Sequence, residues 1–209
     1  MNPKQVMQFC APEDDPRDYL HHPFKQNGMV YATNGAMLIE LFPKHYNDIV
    51  CEQEKPDCSF VDGVFDEIRD GDYLPIPEIA KPATRECTFC GGTGKSGVCS
   101  ECGGLGYIVC DLGHEHDCEK CGGTGSIKGE DQDCIECSGS GEVFDNPAVL
   151  LTAHDGSLIH VDWRLLQKFK ALPGVKYAIG RFARSELQES NVAAFVFDKG
   201  RGLLMPMYP

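Results

Sequence analysis

A short cysteine motif recurs four times in the middle of the chain and constrains its fold more than any other feature. Each copy reads Cys-x-x-Cys-x-Gly-x-Gly, and the copies begin at Cys87, Cys99, Cys118 and Cys134. Two residues between the cysteines let a tight turn aim both sulfurs at one ion, and the glycines permit the positive φ with which the chain turns past the metal. Each copy is therefore half of a tetrahedral metal site.

The four half-sites predict two four-cysteine sites. Such sites hold zinc with Zn–S distances of about 2.3 Å and leave no open position, so we expect structural metals. Iron is the competing metal, because a tetrathiolate site also suits it. Spacing alone does not decide between two pairings of the half-sites. In nested pairing the first motif pairs with the fourth and the second with the third, whereas in sequential pairing each motif pairs with its neighbour along the chain. The candidate ligands are Cys87, Cys90, Cys99, Cys102, Cys118, Cys121, Cys134 and Cys137.

Cysteine usage also indicates the compartment. The chain has 12 cysteines among 209 residues, and eight of them belong to the four motifs. This spacing is typical of metal sites in a reducing compartment rather than of disulfides in a secreted chain. The sequence contains no long apolar run, and residues 1–10 lack the features of a signal peptide. We therefore expect a cytoplasmic protein with no membrane partner.

The repeated segment, about residues 85–145, resembles the cysteine-rich zinc domain of DnaJ-type chaperones. The resemblance implies a glycine-rich domain of β-hairpins that binds protein. It also implies nested pairing, with one zinc on Cys87, Cys90, Cys134 and Cys137 and the other on Cys99, Cys102, Cys118 and Cys121. Residues 1–84 lack the His-Pro-Asp tripeptide of a J-domain. Stimulation of a heat-shock ATPase is therefore not implied.

The flanking segments, residues 1–84 and 146–209, predict one discontinuous α+β host domain. We expect one helix over residues 3–9 and a second helix that is capped by Asp162 and continues to Leu172. We expect a hairpin within 29–41 at Asn34-Gly35, and strands near 59–65, 149–152, 158–161, 175–179, 192–197 and 202–205. When the two halves of the host sequence are aligned with Gly35 on Gly200, Leu38 also aligns with Leu203. Both halves run helix, strands and hairpin, which predicts duplicated βαβββ units.

That arrangement is similar to a single repeat of the bacterial DNA polymerase sliding clamp. The similarity rests on Arg17 and Leu20, on Ala32-Thr33-Asn34-Gly35 followed by Leu38, and on the ending Met205-Pro206-Met207. It implies that Met205, Pro206 and Met207 help to line an apolar pocket for short peptides of partner proteins. In the competing interpretation the methionines fill the host core.

The charge distribution restricts where nucleic acid could bind. The net charge is −13. Residues 85–145 hold 4 basic and 12 acidic side chains, whereas residues 146–209 hold 8 basic and 5 acidic ones. Because acidic surfaces repel phosphates, DNA contact is expected only through the C-terminal third. The residues Arg164, Gln167, Lys168 and Ala171 share one helical face there, although so few charges favour a solvated face over a DNA site.

The remaining metal-binding and thiol side chains have simpler interpretations. His114 and His116 could bind a third metal, but the eight paired cysteines already fill two sites, which favours an exposed acidic loop. The thiols of Cys10, Cys51, Cys58 and Cys110 are expected to be buried or unreactive.

The leading functional hypothesis is a non-enzymatic zinc-binding protein whose DnaJ-like segment binds a partner protein or unfolded polypeptide. The sequence contains no phosphate loop, metalloprotease motif or activated nucleophile. One alternative is an accessory factor of DNA replication or DNA metabolism with a clamp-like fold. Another is a thiol oxidoreductase that uses a labile Cys-x-x-Cys. The sequence leaves the partner and the oligomeric state open.

Overall fold

The computed structural model describes residues 3–42, 57–110, 113–134, 136–185 and 188–207. The chain divides into two compact units. The host unit comprises Met1–Lys81 and Pro147–Pro209, and the cysteine-rich unit comprises Pro82–Asn146. Among the described residues, no helix has both the length and the apolar character needed to cross a membrane.

Over its described residues the host unit combines three short α-helices and two short 3₁₀ helices (Asp18–Leu20 and Asp70–Asp72) with β-strands. The α-helices are α1 (Pro3–Met7), α2 (Phe60–Asp66) and α3 (Trp163–Lys170). The strands before the cysteine-rich unit are β1 (Phe24–Gln26), β2 (Met29–Thr33), β3 (Met37–Leu41) and β4 (Leu74–Pro75). Those after it are β11 (Ala148–Thr152), β12 (Leu158–Asp162), β13 (Lys176–Ser185), β14 (Gln188–Phe197) and β15 (Gly200–Leu204).

Seven of these strands form one antiparallel sheet in the order β1-β2-β3-β15-β14-β13-β4. It consists of two three-stranded meanders, β1–β3 after α1 and β13–β15 after α3, with β4 added beside β13. The last strands of the two meanders pair with each other, and Leu38 lies opposite Leu203. Strand β12 leads directly into α3.

The predicted hairpin at Asn34-Gly35 is present between β2 and β3. The Asn34 side-chain oxygen accepts hydrogen bonds from the N–H groups of Ala36 and Met37. Gly35 has a φ of +88°, which a side chain would disfavour. The Asn34 N–H also donates to the Met37 carbonyl, so Gly35 and Ala36 are the two central residues of the turn, with glycine first as in a type II′ turn.

Both faces of the seven-stranded sheet are covered. One face buries Val30, Ala32, Ile39 and Leu41 against helices α1 and α3. The opposite face buries Tyr31, Leu38 and Leu203 against α2. Because alternate residues of a strand point to opposite faces, β3 is buried along its whole length. This explains its nearly continuous apolar sequence.

Helix α2 corrects the strand predicted near Ser59–Phe65. Its buried residues are Val61, Val64 and Phe65, which have helical rather than alternating spacing. The helix packs closely on β13 at Gly180, where an added Cβ would lie 2.9 Å from Val64 Cγ1. Tertiary packing against the sheet therefore overrides the β-branched composition of the segment.

Helix α3 follows the sequence prediction closely. The Asp162 carboxylate accepts a hydrogen bond from the Arg164 N–H at 2.7 Å and caps the helix. The buried ring of Phe169 stacks on Phe195, with centroids 4.1 Å apart, and contacts the edge of Phe9 beyond α1. These contacts place α1 and α3 side by side on the same face of the sheet.

The cysteine-rich unit is built from three short antiparallel ribbons. Strand β5 (Thr84–Glu86) pairs with β10 (Glu142–Phe144), and β6 (Lys95–Val98) pairs with β9 (Ser126–Asp133). Strand β7 (Tyr107–Val109) pairs with β8 (Glu115–Asp117). The cysteine turns lie between these ribbons, and the buried residues of the unit are mainly the cysteines themselves. Such a unit has little apolar core to stabilise it without metal.

Candidate metal centres

The structure brings the first and fourth motifs together. The Sγ atoms of Cys87 and Cys134 are 3.9 Å apart, and those of Cys90 and Cys137 are 3.8 Å apart. Four sulfurs placed about 2.3 Å from one zinc ion are separated from each other by about 3.8 Å. A disulfide would require about 2.05 Å. The four sulfurs are therefore spaced for a tetrahedral zinc site and not for disulfide bonds.

The second and third motifs form an equivalent site. The Sγ atoms of Cys99 and Cys118 are 3.8 Å apart, as are those of Cys102 and Cys121. In each group all four sulfurs lie within 4.8 Å of one another. The two groups could each hold a zinc ion, which agrees with the prediction of two structural zincs. The grouping is the nested one that the DnaJ resemblance implied.

Backbone amides are directed at one sulfur of every motif. The last glycine of each motif donates its N–H to the second cysteine, as Gly94 does to Cys90 at 3.3 Å and Gly141 does to Cys137 at 3.2 Å. Gly106 and Gly125 repeat this contact in the second site. An N–H donor stabilises a thiolate more than a thiol, so these bonds favour the form that binds metal.

The two halves of each site are also joined by reciprocal backbone hydrogen bonds. Cys87 N–H donates to the Gly141 carbonyl and Cys134 N–H donates to the Gly94 carbonyl, both at 2.9 Å. In the second site Cys99 bonds to Gly125 and Cys118 bonds to Gly106. The first cysteine of one motif is therefore tied to the last glycine of its partner. The two turns form one closed unit around the four sulfurs.

Hydrogen bonding shifts the acidity of individual ligands. Burial opposes ionisation of Cys134, but bonds from the Cys137 N–H and the Ser96 hydroxyl lower the pKa of its thiol to about 6. Burial likewise opposes ionisation of Cys121, but the Gly125 N–H and the neighbouring thiols lower its pKa to about 7. These contacts favour ionisation of one sulfur in each site, and the thiolate is the form that binds zinc.

The two sites differ in exposure. In the first site all four cysteines are buried. In the second site Cys121 is only half-buried. Four sulfurs fill the four tetrahedral positions in both, so a bound zinc would have no open position for a water or substrate. The donor set fits structural zinc.

The other metal and thiol candidates are not assembled into a site. Within the described part of the chain, the two cysteine groups are the clusters close enough to hold an ion. His114 and His116 are exposed, as predicted, but His116 lies in strand β8 rather than in a loop. Cys10 and Cys58 are buried, and Cys110 is half-buried. Cys51 lies outside the described residues.

The C-terminal methionines take different positions. Met205 donates its backbone N–H to Ala36, and Met207 donates to His160. All three residues of Met205-Pro206-Met207 are half-buried. A cavity of about 60 Å³ in the host unit is lined by Met205 but not by Pro206 or Met207. Its other lining residues are Thr33, Gly35, Met37, Leu38, Phe60 and Leu203.

The basic face predicted on α3 is used largely within the protein. Arg164 pairs with Asp162 at 2.6 Å, and Lys168 Nζ donates to the Gln8 carbonyl at 2.7 Å. Lys170 pairs with Glu78 at 2.9 Å. Arg164 and Lys168 of the predicted face, and the neighbouring Lys170, therefore make contacts within the host unit.

Sequence reasoning missed a buried polar cluster in the host unit. The Glu40 side chain is 2% exposed and accepts hydrogen bonds from the Tyr31 hydroxyl and the Arg201 guanidinium. Arg201 also pairs with Asp62 and lies over the Phe65 ring, 4.7 Å from its centroid. The signal was present as a glutamate inside the apolar run Met37–Leu41, since a carboxylate in a buried strand needs a partner.

Comparison of the chain with models of protein families, with curated proteins and with solved structures gave no match.

Proposed function

We propose that this chain is a non-enzymatic zinc-binding protein whose DnaJ-like cysteine-rich unit binds polypeptide, either a partner protein or an exposed apolar segment. The observation that carries the proposal is the combination of two closed four-cysteine sites with apolar side chains left on the surface of the same unit. Closed sites stabilise a small fold but offer no position for catalysis. Exposed apolar groups are a common feature of protein-binding surfaces.

The unit leaves large apolar side chains on its surface although its own core is small. Val98, Leu105, Ile108 and Val109 are all exposed, while the described buried side chains are mainly cysteines. A domain that needs apolar residues for its own stability would bury them first. Their exposure therefore supports a role in binding.

A titration with a permanently unfolded protein tests this proposal. Reduced, carboxymethylated lactalbumin carrying a fluorescent label is added to the zinc-loaded full chain and followed by anisotropy. Saturable binding that disappears after zinc is chelated, and returns after zinc is restored, is the expected result. Absence of saturable binding to the zinc-loaded chain would overturn the proposal.

A second candidate function is that of a DNA-replication or DNA-metabolism accessory factor with a sliding-clamp-like host. It is favoured by the two helix-plus-meander halves that share one sheet and by the position of Met205 in the wall of an apolar cavity. Methionine suits a pocket that accepts varied apolar side chains.

A labelled clamp-binding peptide tests this second candidate. Saturable binding to the full chain should be lost in Met205→Lys, whereas the matched variant Met7→Lys, at an exposed methionine of α1, should bind as the wild type does. A parallel gel-shift series with duplex DNA at increasing salt should show a complex that weakens with salt. Failure of both assays would remove the clamp-like function.

A further inference from the structure

Exposed apolar side chains lie in and beside the second metal site. Leu105 is 64% exposed, Val98 is 61% exposed and Val109 is 55% exposed. Val98 lies against the turn that bears Leu105, because a Cβ on Gly104 would be 3.1 Å from Val98 Cγ1. Leu105 in turn precedes β7 by two residues. The exposed groups therefore run from the metal-binding turn into the ribbon formed by β7 and β8.

Strand β7 also has an open hydrogen-bonding edge. Its sheet has two strands, so within the described residues β7 pairs with β8 alone. The Cys110 N–H donates to the His114 carbonyl, and the Cys118 N–H donates to the Gly106 carbonyl. These two bonds determine which residues of β7 direct their backbone groups towards β8 and which direct them away. By that alternation the N–H and C=O groups of Tyr107 and Val109 point away from β8. An extended chain could pair with these groups by adding a third strand.

The charged side chains around β7 determine which charge an added extended chain should carry. Residues 98–121 contain five acidic side chains and one basic side chain. Glu101, Glu115, Asp117 and Glu119 are exposed, while the single cation, Lys120, donates to the Ser100 hydroxyl at 2.7 Å. A zinc ion held by four thiolates adds a further net charge of about −2. An acidic or phosphate-bearing ligand would be repelled from this surface.

We propose that the open edge of β7 and the adjacent side chains of Val98, Leu105 and Val109 bind an extended polypeptide segment that alternates apolar and basic residues. The assignment rests on the proposed function and adds the chemical class of the segment and the strand with which it pairs. Main-chain bonds to Tyr107 and Val109 give the register, apolar contacts give the affinity, and the acidic side chains select lysine or arginine.

Charge-matched peptides test the assignment in the zinc-loaded full chain. A set of labelled peptides of equal length carries the same apolar residues alternating with Lys, with Gln or with Glu, and anisotropy measures each Kd. The Lys peptide should bind at least about tenfold more tightly than the Glu peptide, because like charges disfavour the complex. The difference should shrink as salt screens the charges.

Two variants test the surface itself. Val109→Pro removes an outward N–H while leaving the bonds between β7 and β8, and Leu105→Gln removes an exposed apolar side chain. Both should retain the wild-type zinc content and weaken binding of the Lys peptide. Val109→Thr, which retains the N–H, should weaken binding less than Val109→Pro. Leu158→Gln, at an exposed leucine of the host unit, should leave binding unchanged.

The outcomes separate this assignment from the function on which it rests. Equal affinity for the Lys and Glu peptides, or full binding by Val109→Pro and Leu105→Gln, would overturn the β7 assignment while leaving polypeptide binding in place. Binding of unfolded lactalbumin without binding of any peptide in the set would overturn the proposed segment class. Failure of lactalbumin and all peptides to bind would overturn both.

Discussion

Gly106 lies so close to Gly123 that a Cβ on Gly106 would be 2.4 Å from the Gly123 carbonyl oxygen. The contact joins the two halves of the second metal site, and Gly125 makes the reciprocal approach to the Gly104 oxygen at 2.3 Å. Gly94 and Gly141 repeat it in the first site. The last glycine of each motif is therefore required by packing between half-sites as well as by its positive φ.

Gly106→Ala is predicted to disrupt the second zinc site. The added methyl group would force the two half-sites apart, so one zinc per chain should be lost or held far more weakly. Zinc content and competition with a chromogenic chelator measure the effect.

Gly103→Ala is the matched control, since Gly103 also has positive φ but a Cβ added there would have no atom within 4 Å beyond its own chain neighbours. It carries only the conformational cost of alanine in the left-handed region, about 1–2 kcal/mol, which corresponds to about 5–30-fold in affinity. Equal loss of zinc in both alanine variants would show that the close approach of the half-sites is unimportant.

The second site is predicted to release its zinc before the first. Cys121 is half-buried and accessible to a chelator, whereas the ligands of the first site are all buried. Release should occur in two phases of equal amplitude. Cys121→Ser should abolish the fast phase and Cys137→Ser the slow one. A single phase, or loss of the slow phase in Cys121→Ser, would contradict the order.

Removal of Arg201 is predicted to destabilise the host unit strongly. Arg201→Ala leaves the buried Glu40 carboxylate without its cation, at a cost of about 3–5 kcal/mol. Lys170→Ala is the control, because its partner Glu78 is 93% exposed and such surface pairs contribute about 0–1 kcal/mol. Urea denaturation of the two variants should differ accordingly, and equal midpoints would contradict the prediction.

Stability of the host unit is predicted to fall above pH 9. Burial raises the pKa of Cys10 to about 11 and that of Cys58 to about 12, above the ordinary thiol value of 9.0. Since the folded pKa values are higher, the stabilisation is present below pH 9 and is lost as the pH rises towards 11 to 12. Each thiol contributes a slope of up to about 1.4 kcal/mol per pH unit.

Urea denaturation of the reduced, zinc-loaded chain between pH 8 and about 10.5 measures this slope. The double variant Cys10→Ala, Cys58→Ala should show a shallower decline than the wild type. Parallel profiles would mean that these two thiols are not linked to folding.

The metal centres were largely predictable because their information is local. Motif spacing fixes which two sulfurs a turn can present, and the glycines mark where two backbones approach. Nested pairing was different, because it depends on how the β6–β9 ribbon joins distant motifs, which no local pattern encodes. Only the resemblance supplied it.

The host sheet was predicted in part. The turn at Asn34-Gly35 and the cap at Asp162 depend on short-range hydrogen bonds, and both were found. The alignment of the two halves placed Leu38 on Leu203, and the fold places these two residues directly opposite each other in adjacent strands. Helix α2 was misjudged because its pattern depends on packing against β13 at Gly180, a contact between segments far apart in the chain.

The content and coordination of metal in the purified chain test the central claim most directly. Protein prepared without added zinc is analysed by inductively coupled plasma mass spectrometry and by X-ray absorption at the zinc edge. We predict two zinc ions per chain, each with four sulfur neighbours at about 2.3 Å. A reproducible value of one zinc, iron in place of zinc, or nitrogen and oxygen ligands around the metal would contradict the account.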